Sequence, residues 1–149
     1  MSPLLLDVLL AFGHHLLVFA LVAVLVAELV LASTELLDAR RLAQLGRLDA
    51  AYGGLAGGVV VVGLLRAVFG AKGWSFYAGN PLFWAKLGLF VAIGLLSIVP
   101  TARLIRWRRA GTLPDAATLR GTRAWMLAQV ALLAVMPLLA VLMARGVGR

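Results

Sequence analysis

Two adjacent histidines, a glutamate, an arginine and a lysine sit within otherwise apolar stretches of this chain, and their types set what chemistry is open to it. His14 and His15 are its only histidines. Apart from them, every residue from Val8 to Ala27 is apolar or glycine, so the run is long enough to cross a bilayer as a helix, which takes roughly 20 residues. An ionisable group placed there is costly and faces the protein interior or a ligand more often than lipid. Neutral imidazole is the commonest metal ligand, and buried imidazoles serve haem irons and proton paths. A histidine that merely bonds a neighbouring helix is the plainer reading. His14, Leu21 and Glu28 recur every seventh position and fall on roughly one helix face, with Glu28 about 20 Å further along the axis. His15 points about 100° away from His14, so the two rings cannot share one small site on an undistorted helix.

The elements that must position these groups are membrane spans. Of 149 residues 63% are hydrophobic and the mean hydropathy is +1.02, far above a soluble domain, which predicts one compact integral membrane unit over 1–149 without a separate soluble domain. The net charge of +8 comes from basic residues lying between apolar runs, a pattern of membrane topology and not of nucleic-acid binding. The absence of cysteine excludes disulfides, iron–sulfur clusters and thiolate sites. The N-terminus has no basic n-region, so the first run reads as a retained span and not a cleaved signal.

Four spans are expected, over about 3–32, 50–69, 82–100 and 125–143, with Ser33-Thr34-Glu35 ending the first. Leu36 to Asp49 mixes leucines with Asp38, Arg40, Arg41 and Arg47; it reads as an interfacial amphipathic helix, a helical extension of span 1, or a solvated connector. In span 2, Gly53/Gly57 and Gly54/Gly58 form overlapping Gly-xxx-Gly pairs, which let helix backbones approach closely, or offer a flat surface to a planar ligand. The connector Gly70 to Pro81 is rich in turn residues, and its Trp74, Phe76 and Tyr77 fit an interfacial aromatic belt or the roof of a pocket. Lys86 sits about one turn into span 3, where snorkelling to the interface is the plain reading. Pro100 closes that apolar run, Pro137 marks a kink in span 4, and Gln129 is the one polar side chain there. The segments joining spans 1–2 and 3–4 carry Arg40, Arg41, Arg47, Arg103, Arg106, Arg108, Arg109, Arg120 and Arg123. The positive-inside rule then puts both termini outside, in the periplasm of a Gram-negative cell. The expected fold is an all-α, up-down-up-down four-helix transmembrane bundle in the bacterial inner membrane.

That threading places His14, His15, Arg66 and Lys86 in the outer half, beneath Trp74, Phe76 and Tyr77. The chemistry this suits is a porphyrin: an imidazole from His14 or His15 for the iron, a glycine surface for the ring, and Arg66 and Lys86 for the two propionates. A quinone head group or an anionic lipid would suit the same set. Glu28 stands apart in the inner half, where an ion pair with Arg40 or Arg103 is favoured over proton transfer.

Asn80-Pro81-Leu82-Phe83-Trp84-Ala85-Lys86-Leu87-Gly88-Leu89-Phe90 resembles the start of the third span in HemJ-type protoporphyrinogen oxidases and the copper-resistance-D-like group, and His14 or His15 resembles the histidine those proteins place in span 1. The resemblance implies a four-helix bundle and a b-type haem. Over almost the whole chain, through Ala27-Glu28-Leu29, Leu48-Asp49-Ala50-Ala51-Tyr52-Gly53, Gly70-Ala71-Lys72-Gly73 and Asn80-Pro81 to Lys86, the chain is similar to a family of small bacterial four-span proteins. It departs from the HemJ type in having no histidine outside span 1, so a bis-histidine haem held between two helices of one chain is ruled out. The second ligand would be absent, or be Lys86, Tyr77, a methionine, water, or His15 of another chain. Three functions follow as expectations: haem b or porphyrin binding in redox or tetrapyrrole handling; a non-catalytic accessory subunit of a larger membrane complex, or a homodimer, packed through the glycine faces; and a small oligomeric transporter or proton pathway built on His14, Glu28 and Lys86.

Overall fold

The computed structural model describes residues 2–33 and 37–148. Thr34, Glu35 and Leu36 lie outside the described residues, as do Met1 and Arg149; of the expected stop Ser33-Thr34-Glu35 only Ser33 is described. The described chain is helical throughout: α1 (Pro3–Leu31), α2 (Ala39–Phe69), α3 (Gly73–Ala78), α4 (Pro81–Ala110) and α5 (Ala116–Ala144). All but α3 are long and apolar enough to cross a membrane.

Local chemistry fixes where the four long helices begin. The side chains of Ser2, Asp38, Asn80 and Asp115 accept from the backbone N–H of Leu5, Arg41, Leu82 and Thr118 respectively, satisfying donors that a helix start otherwise leaves orphaned. Pro3 and Pro81 occupy the first helical turn, where a missing N–H costs nothing. At the far end of α4, Gly111 adopts φ 64°, a left-handed stop that favours glycine.

The helices overrun the apolar stretches at one end. The Leu36–Asp49 stretch does not extend span 1. From Ala39 on it is the first part of α2, because Asp38 caps a helix whose Leu42 and Leu45 are buried. Likewise α4 passes through Pro100 to Ala110, and α5 starts at Ala116, nine residues before the apolar run. Proline removes one helix bond, but Pro100 is buried against neighbours that hold the helix in place. In the expected turn-rich connector, Gly73–Ala78 closes a short helix.

α1 packs chiefly on α2 and α4 on α5, while α2–α4 and α1–α5 contacts close the bundle. Contacts of His14 with Gly63, Leu17 with Gly58 and Asp7 with Gly70 set α1 antiparallel to α2. Leu21, Leu25, Leu45, Tyr52, Val59, Ile93, Leu104, Met126 and Leu133 form the core. Phe12, Phe19, Val61, Leu95 and Leu138 face outward, as a lipid-solvated surface requires. We refer to the α3 end and the arginine-rich end of the bundle.

Candidate functional site: two polar clusters in one apolar bundle

The first cluster lies toward the α3 end. His14 is half-buried between α1 and α2, its ring against Gly63: a Cβ there would stand 3.1 Å from His14 Cε1. Glycine is what lets the imidazole lie between the two helices. Arg66 of α2 and Lys86 of α4, both half-buried, are within electrostatic reach of His14 and of each other. Among the described residues His14 Nδ1 and Arg66 Nε are buried without a hydrogen-bond partner of good geometry, and the His14 ring faces the Val59 backbone. Asp7 comes to the same end, its Oδ1 2.7 Å from where a Cβ on Gly70 would lie. Three of the residues expected together, from three helices, thus do converge, with Asp7 nearby at the same end of the bundle. Asp7 was legible, since it continues the seven-residue recurrence of His14, Leu21 and Glu28.

Aromatic residues border this end. Trp74 meets Phe83 and Trp84 edge-on, with centroids 6.0 and 6.5 Å apart. Tyr77 lies between Phe76 and Phe83 at 5.2 and 5.8 Å, and Lys72 Nζ stands 4.3 Å above the Phe76 ring. Trp84 Nε1 donates to the Ala78 carbonyl at 3.0 Å, locking α3 onto α4. Asn80, fully buried, caps α4 and donates through Nδ2 to Val147 O at 3.2 Å, tying this corner to the end of α5.

A porphyrin fits this cluster only in part. The two cations suit carboxylates. The ring has no bed beside His14: Gly63 is filled by His14 itself and Gly58 by Leu17, while Gly53, Gly54 and Gly57 have no neighbour within 4 Å of an added Cβ. Among the described residues no group of three or more His, Cys, Asp or Glu gathers. His15 is different in kind. It is exposed on the outer face of α1, ring centroid 6.2 Å from that of His14. Its Nδ1 lies 2.6 Å from the Ala11 carbonyl. A carbonyl only accepts, so Nδ1 carries a proton, and the lone pair of the neutral ring is then on Nε2.

The second cluster lies toward the arginine-rich end. Glu28 is 2% exposed, and its Oε1 has no hydrogen-bond partner among the described residues. The expected pairing with Arg40 or Arg103 is not formed: Arg40 is exposed, and Arg103 donates to Thr122 Oγ1 at 3.0 Å. What lies within reach of Glu28 is a second acid, Asp49, and Tyr52. Thr101 donates to Asp49 Oδ1 at 2.7 Å and Tyr52 to Gln129 Oε1 at 3.0 Å, so α2 is bonded to both α4 and α5 here. Arg108 lies across Gly46, its Cδ 2.6 Å from a Cβ placed there, within reach of Asp49. Asp49 and Thr101 lie just beyond the expected spans 50–69 and 82–100, which end short of the helices here, while Tyr52 lies inside the second span and nothing in hydropathy singles it out. The signal was an acid and a phenol three apart, one face of a helix.

Residues 6–148 match the family described as predicted membrane protein (DUF2214). The chain belongs to that family. No curated protein and no solved structure matches it. The matched stretch of the DUF2214 chain contains both polar clusters, the whole of α2, α4 and α5, and all of α1 but its first three residues.

Proposed function

We propose that this DUF2214 protein binds an anionic amphiphile, carboxylate- or phosphate-headed, that enters from the outer leaflet of the bacterial inner membrane. The observation that carries this is the meeting of His14, Arg66 and Lys86 from three helices, with Arg66 Nε buried and unpartnered among the described residues. Cations in a membrane are paired or face a ligand path, and a head group would supply the missing acceptors through charge-assisted bonds. The excess of arginines at the opposite end favours an orientation with both termini outside, and in that orientation this cluster would face the outer side, with α3 at the interface above it.

A tetrapyrrole dicarboxylate is the narrower form of this reading, and the resemblance to HemJ-type oxidases favours it. Arg66 and Lys86 would hold the propionates of haem b. His15 favours a second reading, in which two copies share a porphyrin between their outward faces: its tautomer is set by a backbone acceptor, as in imidazoles that ligate metals. Such a haem would supply one-electron chemistry.

The test is titration of the full-length protein in lipid nanodiscs with oleate and, separately, haemin, read by tryptophan fluorescence and by the Soret band. Arg66→Gln and Lys86→Gln are each expected to weaken binding by about tenfold or more, since a bond to a charged group contributes roughly 1.5–3 kcal/mol. Haemin binding lost with His15→Ala and kept with His14→Ala selects the shared-porphyrin form. Neither probe binding, or both binding the variants as tightly as the parent, overturns the proposal.

A further inference from the structure

The second cluster holds a charge that the chain leaves unbalanced. Glu28 sits three residues before the end of α1 at Leu31, all but fully buried, with an orphaned carboxyl oxygen. Among the described residues, the donors of its neighbours are engaged elsewhere: Thr101 with Asp49, Tyr52 with Gln129, and Gln129 Nε2 with the Trp125 carbonyl at 3.3 Å. Asp49 has both the Thr101 hydroxyl and the Arg108 charge, so it is the balanced acid of the two. Glu28 has neither. Among the described residues, the titratable and charged groups facing it are Asp49 and Tyr52 of α2, with Arg108 of α4 beyond Asp49; α5 presents the neutral Gln129.

A carboxylate so placed, next to a second one and away from water, demands a compensating positive charge. Two acids and one arginine leave a single negative charge, which one monovalent cation cancels. The donor set is oxygen throughout, from carboxylate and phenol, which suits a proton or a hard alkali ion. The orphaned Glu28 oxygen is the independent sign that something belongs here. Toward the α3 end, Leu21 and Leu25 are fully buried and seal the cluster. We propose that Glu28, Asp49 and Tyr52 form an exchangeable site for a monovalent cation, a proton or a sodium ion, reached from the arginine-rich end. This site is separate from the amphiphile cluster, about 21 Å of helix rise from His14, and stands or falls independently of it.

The experiment is carbodiimide labelling of the full-length protein in liposomes. Dicyclohexylcarbodiimide adds to a protonated carboxyl, takes up its proton on nitrogen and rearranges to a stable N-acylurea, with no group expelled. Peptide mass spectrometry then locates the adduct. The expected result is an adduct at Glu28, absent in Glu28→Gln, that declines about tenfold per pH unit above its midpoint. Replacing choline by sodium at constant ionic strength distinguishes the occupants: protection by sodium assigns a sodium ion, and indifference to sodium assigns the proton. No adduct at Glu28 between about pH 5 and about pH 9, or one that responds to neither pH nor sodium, overturns the proposal. The labelling is read on the unmodified chain, so it decides the matter even where Glu28→Gln fails to fold.

Discussion

At the residue scale, the bond from Tyr52 to Gln129 is the clearest place where one atom matters. Both side chains are buried, at 5% and 1% exposure, and Gln129 Oε1 receives its proton from Tyr52 alone among the described residues. Tyr52→Phe keeps the ring and orphans that acceptor. Polar bonds inside membrane bundles average about 0.6 kcal/mol and reach about 1.7, so a loss of about 1 kcal/mol is expected in reversible detergent unfolding. Glycines sort the same way. Gly46 has the Arg108 side chain lying where a Cβ would go, whereas nothing approaches Gly57 within 4 Å. Gly46→Ala must push the Arg108 side chain aside, but that side chain is flexible and exposed, so the cost is mainly its contact with Asp49, about 1 kcal/mol or less. Gly57→Ala should leave stability unchanged or slightly raised in the same unfolding assay, because a helical glycine is about 1 kcal/mol poorer than alanine. A Gly57→Ala variant as unstable as Gly46→Ala would mean that a partner covers the open face.

At the element scale, the capping residues decide where the helices run, and one of them is pH-dependent. Asp115 starts α5, accepting from Thr118 N and Thr118 Oγ1, both at 2.8 Å. These bonds stabilise the charged form and hold its carboxyl below the ordinary 3.8. The folded value is thus the lower one, so the cap is fully effective above the unfolded value and weakens as the pH falls below 3.8 through the folded one. Amide exchange at Thr118 and Leu119 should accelerate in that acid range, relative to the trend of the rest of α5. In Asp115→Asn, which caps without titrating, the acceleration should vanish. The same caps explain what was legible in the sequence. Pro3, Asn80-Pro81 and Pro114-Asp115 announce helix boundaries that the structure keeps. Hydropathy was the poorer guide at the arginine-rich end, because α2, α4 and α5 continue as amphipathic helix past the apolar runs, with the arginines riding on them. The short α3 was hidden by glycines at 70, 73 and 79, which signal turns with equal strength.

For the whole molecule, the two clusters occupy opposite ends of the bundle, with Leu21, Leu25, Val59, Ile93 and Leu133 buried between them. The convergence of His14, Arg66 and Lys86 could be read beforehand because an apolar chain in lipid leaves its polar residues only the interior. The Glu28 surroundings could not, since they depend on which residues of α2 and α4 meet α1 in register. Orientation decides which side each cluster serves. Nine of the fourteen basic residues lie on or beside the segments that join α1 to α2 and α4 to α5. Retention of that end on the cytoplasmic side is favoured by roughly 1 kcal/mol for each Lys or Arg near an anionic surface. A phosphatase fused after the C-terminus should therefore be active, and a fluorescent protein fused there after Sec export dark. Arg103 and Arg108 are engaged with Thr122 and Asp49, so they make poor probes. Arg40, Arg47, Arg106, Arg109 and Arg120 are exposed, and changing all five to Gln removes about 5 kcal/mol of that bias without touching the packing. The five-fold variant should insert in mixed orientation, seen as partial activity of both reporters, while its helix content stays that of the parent. A bright fluorescent fusion and a silent phosphatase in the parent chain would turn the molecule over, giving the cation site to the periplasm and the amphiphile cluster to the cytoplasm.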